Sequence, residues 1–209
     1  MLKYNLDELK EKVEKDLEKQ IVNSKVLLDK FCLIDEDSRR TAAYLDPNYS
    51  CFYYHLGKYI APATVCEFGF DLGLLSGSFL TSCKSASSFF GYKQHSEEFS
   101  SMRLGKSNIK LVFKKEMNFY SGNLFDQEFI DLFSPNSWDL VILNCEDKYD
   151  KHLEYLEIIW PRLSENGFII AEYINHYPPG RDAFLAFCES KNRKPVMFQT
   201  RYGTGVLQK

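Results

Sequence analysis

The chain has 209 residues, with 26 Lys and Arg against 29 Asp and Glu and a formal net charge of −3, which suits one α/β domain plus a short extension and excludes two ordinary domains. Its basic residues are scattered among acids; Arg39-Arg40 and the group Lys110, Lys114, Lys115 read as solvated faces, so no footprint for a nucleic acid stands out. Six singly spaced cysteines without a CxxC pair argue for buried thiols in a reducing, cytoplasmic setting rather than disulfides or zinc, and no apolar run approaches the roughly 20 residues that span a bilayer.

From about Leu2 to Phe31 the residues Leu6, Leu9, Val13, Leu17, Ile21 and Leu28 recur at helical spacing among Lys and Glu, predicting one long amphipathic helix. Its stripe suits packing on the domain's flank first, with a homodimer contact or a lid over the substrate site as the sharper reading beside it. Residues 32 to 62 follow as a polar connector and an aromatic segment (Tyr44, Tyr49, Phe52, Tyr53, Tyr54, Tyr59), with Pro47 marking a turn before a helix. Tyrosines with an apolar body and a polar tip serve as half-buried packing or as the wall of a binding site.

Strand and helix then alternate. Thr64 to Phe68 reads as a strand, Leu74 to Cys83 as a helix, Ser87 to Tyr92 as a strand and Ser96 to Leu104 as a helix. Ile109 to Phe113 and Asn118 to Tyr120 read as extended, the second as the third strand of the sheet. Glu128 to Phe133 is a short helix, and the continuous apolar run Trp138 to Leu143 suits a central parallel strand. Leu153 to Leu163 is a helix ending at Asn166-Gly167, Phe168 to Ala171 a strand, and Asp182 to Lys191 a helix. Val196 to Thr200 and Gly205 to Gln208 make a closing hairpin. The expected fold is α/β: a Rossmann-like, doubly wound, mostly parallel seven-stranded sheet with an antiparallel C-terminal hairpin, spanning 58–209 after a helical extension, 1–57.

The segment Glu67-Phe68-Gly69-Phe70-Asp71-Leu72-Gly73 ends the first strand with an acid and two glycines. Glycines there let a cofactor approach backbone where a Cβ would collide, and the acid at the tip can hold a cationic or hydroxylated group. Together with Phe90-Gly91-Tyr92, with Trp138 to Asn144 followed by Tyr149, with Leu163 to Ile170, and with Arg201 to Val206, it resembles the class I S-adenosylmethionine-dependent methyltransferases, small-molecule and sugar O-methyltransferases in particular, over roughly residues 58 to 209.

The resemblance implies S-adenosylmethionine as cofactor and a small hydroxylated acceptor, a saccharide or an aromatic. It implies cofactor contacts from Glu67, Gly69, Phe70, Gly73, Tyr92, Lys93, Asn123, Leu124 and Asn144. Glu67 would lie near the methionine amino group, its other reading being a helix cap. The family's second strand usually ends in an acid that binds both ribose hydroxyls; Tyr92, followed by Lys93, stands there, and a phenol makes one such bond where a carboxylate accepts two. Asn123 replaces the commoner acid near the adenine, and Asn144 replaces the acid after the fourth strand.

Transfer to a hydroxyl requires an aligned acceptor and a base. His176, Asp147 and Glu172 lie on strand-end loops where such a base is needed, and imidazole titrates closest to neutrality. Tyr53, Tyr149, Arg201 and Tyr202 are the substrate-binding candidates. Asn144, Asp147 and Glu172 are the residues able to offer hard oxygen ligands to a divalent metal, which is not favoured. A binding or assembly module that has lost transfer chemistry, and another cofactor-using enzyme on this scaffold, are the competing readings.

Overall fold

A computed structural model describes residues 5–19, 22–32, 46, 48–94, 99–123, 125–126, 128–129, 138–144 and 148–209. Strands β1 (Thr64–Phe68), β2 (Ser88–Gln94), β3 (Glu116–Gly122), β4 (Trp138–Leu143), β5 (Leu163–Ala171), β6 (Val196–Phe198) and β7 (Thr204–Gln208) form one sheet in the order β3-β2-β1-β4-β5-β7-β6. The first five are parallel, β7 runs antiparallel to β5, and β6 antiparallel to β7. The expected sheet and closing hairpin are therefore present. In β4, Leu140 to Leu143 are fully buried, as a strand covered on both faces requires.

Helices α1 (Leu6–Glu18), α2 (Ser24–Leu28), α3 (Tyr49–Ile60), α4 (Leu74–Ser82) and α5 (Phe99–Val112) share one core with one face of the sheet, built on Leu9, Val13, Phe52, Leu56, Phe79 and Ile109. On the other face α6 (Tyr149–Arg162) and α7 (Pro178–Ser190) pack Tyr155, Leu156, Phe184 and Phe187 against Val141 and Ile169. Among the described residues no helix is long and apolar enough to cross a membrane.

Three elements differ from the sequence reading. The helix expected to end at Asn166-Gly167 stops at Arg162, and β5 begins at Leu163 rather than Phe168. The helix expected over residues 2 to 31 is two helices, because Asn23 starts a new one: its side chain accepts from the N–H groups of Lys25 (2.9 Å) and Val26 (3.3 Å). Asn5 caps α1 in the same way through the Glu8 N–H at 2.8 Å. The segment Ile109 to Phe113 is not extended, since α5 continues through Val112. Met102, Ile109 and Phe113 are buried along it, and Asn108 is anchored by its amide to the Leu72 carbonyl at 2.9 Å, so the helical period holds past Leu104. Beyond residue 129 the expected helix at Glu128 to Phe133 lies outside the described residues, as do residues 33–45 of the connector.

Helix α1 is bonded to α3. Asp16 of α1 accepts from Lys58 Nζ (2.8 Å) and the Tyr59 hydroxyl (2.6 Å) of α3, beside the buried His55. Leu9 and Val13 of the predicted stripe sit in this chain's own core.

Candidate active site

Parallel strands present their C-terminal ends along one edge, and here the ladder continues one residue past each strand. The Asn144 N–H donates to the Phe68 carbonyl (2.8 Å) and the Glu172 N–H to that of Leu143 (3.0 Å). The pairings of Phe68 with Leu143 and of Leu143 with Ala171 therefore extend into a row Gly69, Asn144, Glu172. On the far side Phe70 N–H donates to the Tyr92 carbonyl at 2.7 Å, which sets the loop after β1 against the end of β2.

Glu67 lies at the centre of this edge and is 1 % exposed. It accepts from the Ser76 hydroxyl of α4 and, at 3.3 Å, from the Asn144 amide, which also reaches the Gly69 carbonyl at 3.3 Å. Burial pushes its carboxyl up to about 7, partly offset by the bonds from Ser76 and Asn144. Among the described residues no cationic side chain pairs with it. A buried carboxylate with neutral donors only is a ready partner for a cationic ligand group, because a cation would restore the charge that burial disfavours.

The turn itself needs its glycines for different reasons. Gly69 has φ 83°, a left-handed conformation that side chains resist. Gly73, at φ 68°, faces Ile109 Cγ1 and Phe70 Cε2 at 3.1 Å from where a Cβ would stand, and Gly105 of α5 abuts the Asp71 carbonyl. Gly73 and Gly105 thus let α5 close on the loop. Phe70 is fully buried, its ring among Phe89 and Phe119.

At the end of β2 the side chains alternate. Tyr92 is directed to the α6–α7 face, its ring against Phe68 and Phe129 and its hydroxyl donating to the Gly122 carbonyl. Gln94 accepts from Tyr155 (2.5 Å). Lys93 belongs to the loop instead: its ammonium contacts Asp71 Oδ1 at 3.1 Å and Ser101 Oγ at 2.6 Å. Asn123 is exposed and turns its side-chain oxygen to the Phe125 N–H at 3.1 Å.

The other buried acid, Glu172, is 1 % exposed and gathers hydroxyls from separate parts of the chain. Tyr49 (2.9 Å) and Tyr53 of α3 and Thr204 (2.7 Å) of β7 all donate to it. Burial pushes this carboxyl up to about 7, and the Thr204 and Tyr49 bonds pull against that. One strand separates the rows of Glu67 and Glu172, which puts their strands roughly 9 to 10 Å apart.

Next to Glu172, Tyr202 stacks on Tyr173 (5.2 Å between ring centroids), meets the His176 ring at 5.0 Å and has the Arg201 guanidinium at 5.7 Å. His176 and Arg201 are exposed, and Tyr149 is exposed at the start of α6. Tyr53 is fully buried, so its hydroxyl meets Glu172 and not solvent. Asp147 and Leu124 lie outside the described residues. Among those described, no three His, Cys, Asp or Glu side chains gather as a metal would need.

Sequence reasoning did not single out Ser76, Asp71 or Thr204, and took Tyr49 as half-buried packing or as a binding-site wall. Ser76 had a usable signal, being one turn into the helix that follows the glycine loop. Thr204 had none, since it meets Glu172 through the antiparallel register of β5 and β7.

No family model matches the chain, and no curated protein matches it in sequence. Solved structures do. An O-methyltransferase from Bacillus cereus in complex with SAH superimposes with a TM-score of 0.69 at 12% identity, over 94% of this chain and 97% of that one. An SAH-bound methyltransferase from Podospora anserina gives 0.68 at 12% identity, over 99% and 97%. The O-methyltransferase TomG from Streptomyces achromogenes, in complex with SAM, gives 0.56 at 10% identity, over 88% and 94%. The chain has the fold of the class I S-adenosylmethionine-dependent O-methyltransferases.

Proposed function

We propose that this protein is an S-adenosylmethionine-dependent O-methyltransferase of the cytoplasm, acting on a small hydroxylated acceptor. The observation that carries the reading is Glu67: a buried carboxylate beside the Gly69 turn, at the sheet edge of this fold, lacking a cationic partner among the described residues. Glu67 and Asn144 would hold the amino-acid end of the cofactor, and the Asp71–Lys93 pair stands at the end of β2, where a ribose would be met. When bound, that cofactor supplies an electrophilic methyl group on a sulfonium. This chain's residues would bind it, exclude water and take the acceptor's proton, for which Glu172 and His176 are the described candidates.

Isothermal titration of the folded protein with S-adenosylmethionine and S-adenosylhomocysteine tests this. Binding is expected, weakened roughly 10- to 100-fold by Glu67→Gln, the loss of one charge-assisted contact of about 1.5–3 kcal/mol. Absence of heat with both ligands would remove the proposal. The second reading, a module that has lost transfer chemistry, is favoured by one observation: the end of β2 offers Lys93, already paired with Asp71, in place of a free acid. Transfer of labelled methyl to any acceptor would count against it.

A further inference from the structure

A cavity of about 270 Å³ opens between the C-terminal half of α1, the start of α3 and the end of β6. Three carboxylates stand on its wall: Glu14 and Glu18, exposed on α1, and the half-buried Asp46 ahead of α3. No described Lys, Arg or His lines it. Behind the acids Leu17, Phe52 and Phe198 form an apolar floor, the two phenyl rings meeting edge to face at 4.9 Å.

We propose that this cavity is a binding site for a small organic cation, a molecule carrying one ammonium group on an apolar body. The inference is independent of methyl transfer and gives the ligand no part in it.

The charges select the sign of the ligand. Glu14 and Glu18 stand four residues apart on one helix, a like-charge spacing that weakens a helix until something neutralises it. Glu18 is also the last residue of α1, where unpaired carbonyls add negative potential of their own. Lys10 reaches Glu14 at 3.7 Å, an exposed pair that water screens, whereas Glu18 and Asp46 meet no cationic side chain among the described residues. The Asn48 N–H donates to Asp46 Oδ1 at 2.8 Å, which fixes this carboxylate and leaves Oδ2 open among the described residues.

The shape selects the kind of cation. Among the described residues no three His, Cys, Asp or Glu side chains converge as a metal needs, so the negative charge surrounds a mouth instead of focusing on a point. A hydrated metal ion would gain nothing from the floor. An ammonium on an apolar body meets the carboxylates at the mouth and removes its body from water against Leu17, Phe52 and Phe198. The volume falls just below that of sites for drug-sized ligands, which suits an amine with one ring or a short chain.

The probe is 2-phenylethylamine, protonated at neutral pH, titrated calorimetrically into the full-length protein beside two isosteres, neutral 2-phenylethanol and anionic 3-phenylpropionate. Saturable binding of the amine is expected, weakening with added salt, with the alcohol roughly 10-fold weaker for want of a charge-assisted contact and the carboxylate silent. Glu18→Gln combined with Asp46→Asn should weaken the amine by about 10-fold or more, and Leu17→Trp, which fills the cavity, should abolish its binding. Glu154→Gln, on the opposite face of the sheet, should change nothing. No saturable binding of the amine, an alcohol bound as tightly, or an affinity unmoved by the Glu18→Gln/Asp46→Asn pair would each overturn the proposal. So would full binding by a Leu17→Trp protein whose circular dichroism matches the wild type.

Discussion

The hydroxyl of Tyr92 donates to the carbonyl of Gly122, across the pair of strands β2 and β3 and on the face away from the Glu67 carboxylate. The residue that replaces the family's usual acid by sequence is therefore directed toward packing. A buried phenol there sits between Phe68 and Phe129.

Substitutions at Tyr92 should accordingly read out as stability. Tyr92→Phe is expected to cost about 1 kcal/mol, one hydrogen bond, and Tyr92→Glu about 3 kcal/mol or more, because the carboxylate would be buried without a partner. Urea melts with and without S-adenosylhomocysteine check this. A tighter cofactor complex in Tyr92→Glu would contradict it.

Glu67 and Glu172 set the pH dependence of the unliganded protein. Both carboxyls are held up to about 7 against 4.5 for the free side chain. The native state therefore binds more protons than the unfolded chain between those values, and stability falls as pH rises through that window, by up to about 3 kcal/mol per group. Glu172→Gln should outlast the wild type at about pH 8 and lose that advantage near about pH 4. Thermal melts across the range decide the sign; a wild type gaining stability from pH 4.5 to 7 by these groups would refute it.

His152 works in the opposite direction. It is 1 % exposed between α6 and α7, neither ring nitrogen has a hydrogen-bond partner among the described residues, and burial lowers its pKa to about 4. The unfolded chain takes up a proton that the native state refuses, so this residue costs stability as pH falls from 6.5 toward 4. Replacement by Leu should stabilise by about 1 kcal/mol at neutral pH and by more in acid. Equal pH profiles of His152→Leu and wild type in calorimetry would show that the imidazole is not held neutral.

At the opposite edge of the sheet, Asp139 ties three strands together. Its carboxylate accepts from the N–H groups of Ala63 and Thr64, both at 3.0 Å, and from the Ser164 hydroxyl at 2.9 Å. Asp139→Ala should cost about 2 kcal/mol, through β1 and β5 losing their common anchor, with cofactor binding unchanged because the glycine loop lies at the other end of β1. Hydrogen exchange at Ala63 and Thr64 should speed up in the variant.

The strands were legible because their signals are local: β1 and β4 run from Thr64 to Phe68 and from Trp138 to Leu143 as their apolar runs suggest. The end of α5 was not. Its last turn, Ile109 to Val112, carries the β-branched and apolar residues that also mark a strand, and only the packing of Ile109 against Gly73 separates the two readings. At the site, Glu67 and Gly69 announce themselves by adjacency. The hydroxyls around Glu172 come from residues 49, 53 and 204, and no spacing rule links positions that far apart.

That dispersal has a consequence for biosynthesis. A ribosome releases Tyr49 well before Thr204, so Glu172 cannot acquire its full set of donors until β7 has been made. Folding intermediates of the growing chain would carry this acid unsheltered. The buried carboxylate is therefore satisfied only once α3 and β7 have come together around it.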